Sequence, residues 1–201
     1  MSLIGDILFW SGRKPSLSDV LRHALETTVS AEVNSLAASS FANKSDDEIV
    51  ASLVEKLKAE PIQFRLDDAE PEVFEKAVQV ADVFSKRSVS VPGLRVAKII
   101  PFDGDADLFK MRPNQYDMNP PHGDVNGDKL RIGMEVRETE DEAAIRYIDE
   151  TVASIQTYID RQRPQLDQYN QQLPAAIMEA VQRRRTTLGK ASSVADRLRG
   201  R

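Results

Sequence analysis

Apolar and polar positions along this chain change period several times, and each change predicts an element. Leu17, Val20, Leu21, Ala24, Leu25, Val29, Val33 and Leu36 recur three and four apart behind the capping side chains Ser16, Ser18 and Asp19, which predicts an amphipathic helix over 17–38. Ser45-Asp46-Asp47-Glu48 is a capping box, and Ile49, Leu53, Val54 and Leu57 carry a second helix over 45–58 that must stop before Pro61. The period then shortens to two. Ile62, Phe64 and Leu66 alternate with polar residues and predict a strand over 62–67. Residues 74–82 fit both periods, and a strand is preferred because strands flank them. Leu94, Val96, Lys98 and Ile100 follow the Pro92-Gly93 turn and predict a strand over 93–100 that Pro101 ends. Leu130, Ile132, Met134 and Val136, after Asn126-Gly127, predict the cleanest strand, 129–137.

Past Thr139 the spacing returns to three and four. Ile145, Ile148, Val152, Ile155 and Ile159 form a heptad seam, continued less apolarly by Gln162, Leu166, Tyr169 and Leu173. Pro164 and Pro174 leave a kinked rod and a helical hairpin both open. These elements define an α+β fold with N-terminal helices, a small antiparallel meander sheet and a long C-terminal helical arm, the helices covering one face of the sheet. The expected boundaries are an α+β domain over 1–138, the arm over 139–188, and a linker-like tail over 189–201.

Between the last two strands lies a stretch rich in proline, glycine and aspartate, longer than a compact domain ordinarily leaves unstructured. Phe102, Leu108, Phe109, Met111, Tyr116 and Met118 are placed to pin it as an ordered lid, with Phe109 and Tyr116 as its recognition side chains.

Charge divides the chain. Residues 1–159 hold 18 Lys/Arg against 28 Asp/Glu, and residues 160–201 hold 9 against 4, so an acidic body precedes a basic end within a net charge of −5. The body repels nucleic acid. Arg183, Arg184 and Arg185 close a helix, where cations are favoured, and also offer a phosphate-contacting surface that lacks interleaved aromatic platforms. The chain has no cysteine, so neither a disulfide framework nor a thiolate zinc site is available, and a reducing cytoplasmic home is expected. The N-terminal LIGDILFW is too short to span a membrane, and no membrane association is expected.

Chemistry-bearing residues occur only as fragments of known patterns. Asp103, Asp105 and Asp107 open like a calcium loop, but Leu108 stands where glycine belongs and Asn114 where glutamate belongs. His122-Gly123-Asp124 pairs an imidazole with a carboxylate, without a second nearby histidine. Asp124 and Glu135 resemble a nuclease acid pair without the following lysine. Phosphate-loop, dinucleotide and nucleophile-elbow patterns are absent. No catalytic, cofactor or metal residue is therefore assigned, and no cofactor is expected. The leading expectation is a non-catalytic interaction or scaffold module that binds a protein partner or itself through the seam. A metal-dependent hydrolase built on Asp103, Asp105, His122 and Asp124 is the first alternative, and nucleic-acid binding through the basic end is the second.

Pro92-Gly93-Leu94, Pro101-Phe102 with Gly104-Asp105, Leu108-Phe109, Arg112-Pro113, Asn119-Pro120-Pro121, and Asn170 with Leu173-Pro174 before Arg183 to Arg185 together resemble a region of uncharacterised bacterial proteins associated with antiviral-defence genes. In those proteins a nuclease-like or TIR-like effector domain follows the arginine-rich helix. The resemblance spans the latter half of the chain and includes no catalytic signature. It implies a sensing, docking or scaffold module, either a stand-alone partner protein or a fragment of something longer.

Overall fold

A computed structural model describes residues 2–10, 12, 15–81 and 88–200, with the backbone alone for Val80 and Ala81. It confirms an α+β chain with N-terminal helices, an antiparallel sheet and a long C-terminal helix. Two compact units are present: residues 1–17 with 60–163, and residues 18–59 with 164–201.

The first unit holds the strands β1 (Ser2–Leu3), β2 (Asp6–Ile7), β3 (Gln63–Phe64), β4 (Glu70–Glu75), β5 (Val78–Ala81), β6 (Ser88–Val91), β7 (Gly93–Asp103), β8 (His122–Asn126) and β9 (Lys129–Arg137). The long strands β7 and β9 pair antiparallel from Gly93↔Arg137 to Pro101↔Lys129 and form the spine of a seven-stranded sheet. On the far side of β7 lie β4 and β3, and on the far side of β9 lie β1 and β8, with β2 beyond β8. β5 and β6 make a separate hairpin.

Alternation sorts the residues of the spine. Val96, Ile100 and Phe102 with Leu130, Ile132, Met134 and Val136 are buried on one face, roofed by α5 (Asp141–Arg199) over its residues Ala144, Ile148, Ile155, Tyr158 and Ile159. The other face carries ions over a floor of Ala97 and Gly133. Glu72 Oε1 lies 3.4 Å from Arg95 Nε and 3.2 Å from Arg131 Nε, and Arg131 reaches Asp124 at 2.9 Å. Gly133 is required there, since a Cβ would come within 2.3 Å of the Val96 carbonyl oxygen. Gly5, at φ +83°, lets the chain pass from β1 to β2 with its Cα against the backbone of Gly123.

The second unit is helical: α1 (Leu17–His23) and α2 (Val29–Ser35), joined by a π-helical turn at Ala24–Thr28, then α3 (Ala38–Asn43), α4 (Asp46–Leu57) and the residues of α5 after Arg163. Val29, Val33, Phe41, Ile49 and Leu53 pack in one cluster with Tyr169, Leu173, Ile177, Ala180 and Val181. The capping box forms as read, with Ser45 accepting from the Glu48 N–H and Glu48 from the Ser45 N–H. Polar members of the α5 stripe finish α4: Tyr169 donates to the Leu57 carbonyl at 2.8 Å, and Asn170 bonds both the N–H and the carbonyl of Ala59.

Several sequence expectations need correction. The helix expected over 17–38 ends at Ser35, where Leu36 turns extended. The strand expected over 62–67 shrinks to Gln63–Phe64, because Leu66–Asp68 forms a 3-10 turn. The strand expected over 74–82 is two, β4 and β5, broken at Lys76-Ala77, and its last residue, Asp82, lies outside the described residues. Pro101 does not end β7. Its backbone faces β3, where its carbonyl accepts from the Arg65 N–H, so its missing N–H removes no bond to β9. The apolar stripes of the N-terminal helices, expected against the sheet, are spent within the second unit on Tyr169, Leu173, Ile177, Ala180 and Val181. The arm is neither hairpin nor arm plus tail, since helix runs through exposed Pro164 and Pro174 to Arg199, with Arg201 outside the described residues.

Candidate functional site

The site most able to bind something lies within the first unit, where the outer strand β4 meets the first turns of α5. Backbone direction along β4 follows from one bond. Lys76 N–H donates to the Gly93 carbonyl, so Lys76 faces β7, and by alternation Glu70, Glu72 and Phe74 face β7 as well. Pro71, Val73 and Glu75 then point their backbone groups outward. Pro71 sits where a missing N–H costs no ladder bond, which is the position proline tolerates in an edge strand. Among the described residues, no further strand pairs with this edge.

The side chains of the same three outward residues lie on the face covered by α5, because they stand opposite Lys98, Val96 and Leu94. There an apolar groove of about 490 Å³ opens between Pro71, Val73, Leu94 and Val96 on the sheet and Ile145 and Ile148 on the helix. Val73 is 58% exposed and Ile145 49%. Glu70 and Glu75 on the strand, with Asp141 and Asp149 at the groove's rim, have no ion-pair partner among the described residues, and Lys98 is the cation that lines the groove.

The seam residues divide. Ile155 and Ile159 are buried within their own unit and closed to a second chain, Val152 is half-buried, and Ile148, though buried, lines the groove. Ile145 alone among them is exposed, and it faces the groove. Gln162, polar in an apolar stripe, donates to the carbonyls of Leu108 and Met111 at 2.9 and 2.8 Å and so anchors the long loop.

That loop is ordered around Phe109, which is not a recognition side chain but is 1% exposed amid Phe9, Phe64 and Phe102. Tyr158 stacks on Phe9 and bonds the backbone of Asp117, whose carboxylate Arg161 holds at 2.8 Å. Tyr116 stays exposed, with the Arg112 guanidinium 4.2 Å from its ring centre and Trp10 at its edge.

The three consecutive arginines have different fates. Arg185 donates to Asp46 and to the carbonyls of Phe41 and Lys44, which commits it to holding the α3–α4 turn. Arg183 pairs with Glu179 one turn back. Arg184 lines a small cleft of about 220 Å³ with Ser30, Asn34 and Thr187, and its Nε is buried without a hydrogen-bond partner.

The acids singled out in the sequence are dispersed. Asp103 pairs with Arg65, Asp105 caps the Ala106–Lys110 turn through the Asp107 N–H, Asp107 raises the Lys110 ammonium by accepting its hydrogen bond, and Asp124 pairs with Arg131. Among the described residues, no three His, Asp or Glu side chains are grouped to hold a metal. His122 lines a separate cleft of about 300 Å³ with Tyr147, Glu150, Thr151 and Ser154 and forms no hydrogen bond to them; burial pushes the Tyr147 hydroxyl above its ordinary range.

The β4 edge escaped sequence reading, although one signal was present: Glu-Pro-Glu-Val-Phe-Glu couples a proline to alternating acids, the dress of an edge strand. No helix among the described residues is long and apolar enough to cross a membrane. No family model matches the chain, and no curated protein or solved structure is similar to it.

Proposed function

We propose that the chain is a non-catalytic interaction module that holds a protein partner in the groove between the β4 edge and the start of the helical arm. One observation carries this reading: two large apolar side chains, Val73 and Ile145, stay exposed while converging on a single groove beside unpaired backbone groups. Further along the seam in this unit Ile155 and Ile159 are buried, which confines binding through the arm to its first turns. A cytoplasmic setting and a place in a bacterial defence-type assembly belong to the same proposal and rest on the cysteine-free composition and the family resemblance.

Selection of peptides from a displayed random library against the full chain tests it. Peptides that bind the wild type are expected to lose at least roughly tenfold in affinity for Ile145→Asp, about 1.4 kcal/mol or more. Equal affinity for both proteins would overturn the assignment. A second reading, nucleic-acid binding by the basic end, is favoured only by the unpartnered Arg184 Nε. It requires that affinity for single-stranded RNA fall steeply with salt and again on Arg184→Gln.

A further inference from the structure

We infer that the occupant of the groove is an extended, basic-and-apolar segment of the partner that adds to the sheet as a new strand on β4; this rests on the interaction reading above. The backbone supports strand addition over a docked helix. The outward groups of Val73 and Glu75, two N–H donors and two carbonyls, together with the Pro71 carbonyl, form a ready ladder about three residues long. A helix laid in the groove would leave them to water.

Side-chain register then defines the sequence of the segment. A residue placed opposite Val73 projects onto the α5 side and enters the groove among Val73, Leu94, Val96, Ile145 and Ile148, so it should be apolar. Its neighbours project to the opposite face, where Arg95 and Arg131 already share Glu72 but Glu70 has no ion-pair partner among the described residues, so a cation is favoured opposite Glu70. On the groove side the balance is acidic as well, with Glu75, Asp141 and Asp149 free of ion pairs among the described residues beside the ammonium of Lys98, which favours a segment of net positive charge.

The test uses the full chain and an acetylated, amidated octapeptide of alternating valine and lysine. On binding, amide hydrogen exchange should slow at Val73 and Glu75. Val73→Pro, which deletes an outward donor and leaves the bonds to β7 in place, should weaken binding roughly three- to tenfold. Methylation of alternate peptide nitrogens should do the same to the unaltered protein, so the result does not depend on how the variant folds. A valine–glutamate octapeptide should bind at least roughly tenfold more weakly at low salt.

Binding that responds to Ile145→Asp but to neither backbone change would overturn strand addition and leave the groove reading standing. Binding indifferent to all of these changes, or no binding at millimolar peptide, would remove both. A dimer of the chain that Val73→Pro dissolves would make the occupant a second copy and overturn the inference.

Discussion

The buried stripe of α5 and the groove at its beginning are built from the same residue types, isoleucine and valine at helical or strand spacing, and differ in whether the fold has already used them. Ile155 and Ile159 are fully buried and closed, in the unit whose central strands β7 and β9 are each paired on both sides. One turn before Ile148, Ile145 lies above the outermost strand, where the sheet has no further column, and it stays half exposed. Periodicity thus reports which residues share a face. The width of the sheet decides whether that face is covered.

The largest effect that can break this contrast is a charge in the closed part. Ile155→Asp places a carboxylate where no partner exists, and a loss of about 4 kcal/mol or more is expected in urea unfolding. A loss below about 1 kcal/mol would mean that the stripe is less tightly closed than its burial implies.

Next comes the polar member of the stripe. Gln162→Leu strips the Leu108 and Met111 carbonyls of a donor and should cost about 1–2 kcal/mol, with faster amide exchange along the Phe102–Val125 loop. Stability unchanged by the substitution would show that the loop is held by its phenylalanines alone.

Within the helical unit, Ser45→Ala should cost about 1 kcal/mol at neutral pH. Hydrogen bonds from the Ser45 backbone and side chain hold the Glu48 carboxyl below its ordinary value, so its contribution is present above the normal glutamate range and is lost as pH falls through the lowered value. Urea titrations toward acid should therefore show the gap between wild type and Ser45→Ala narrowing; a gap independent of pH would detach the cap from that carboxylate.

The smallest effect is the most discriminating. Ile145→Asp should alter stability by no more than about 0.5 kcal/mol while removing ligand binding, the opposite profile to Ile155→Asp three turns later.

Much of the architecture was legible in the sequence, and the losses have physical reasons. β9 and the α5 stripe were readable because each extends through several repeats of its period. β1 and β2 were missed because each contributes two residues to the sheet, too few to show alternation, and their placement depends on the contact between Gly5 and Gly123, far apart in the chain. β8 was missed although Asn126-Gly127 was read as a turn; a hairpin turn implies a strand before as well as after it, and His122–Asn126 supplies that strand after the prolines. The pairing of residues 18–59 with 164–201 into one unit is a long-range choice that no local period encodes.

For the candidate site, the seam was found but its open part was not separable from its closed part, since exposure of Ile145 depends on where the sheet ends. Phe109 and Tyr116 looked equivalent in the loop, and only packing assigned one to the core and the other to the surface. The three arginines looked like one cluster, and the helix dispersed them by turning about 100° per residue.

Residue-resolved hydrogen exchange on the free chain tests the openness of β4 most directly. Slow exchange at Glu72 and Phe74 with fast exchange at Val73 and Glu75 is the expected pattern, one side of the strand bonded to β7 and the other facing water. Equal protection at all four amides would mean that the edge is already paired, and the groove would no longer have a partner's strand to receive.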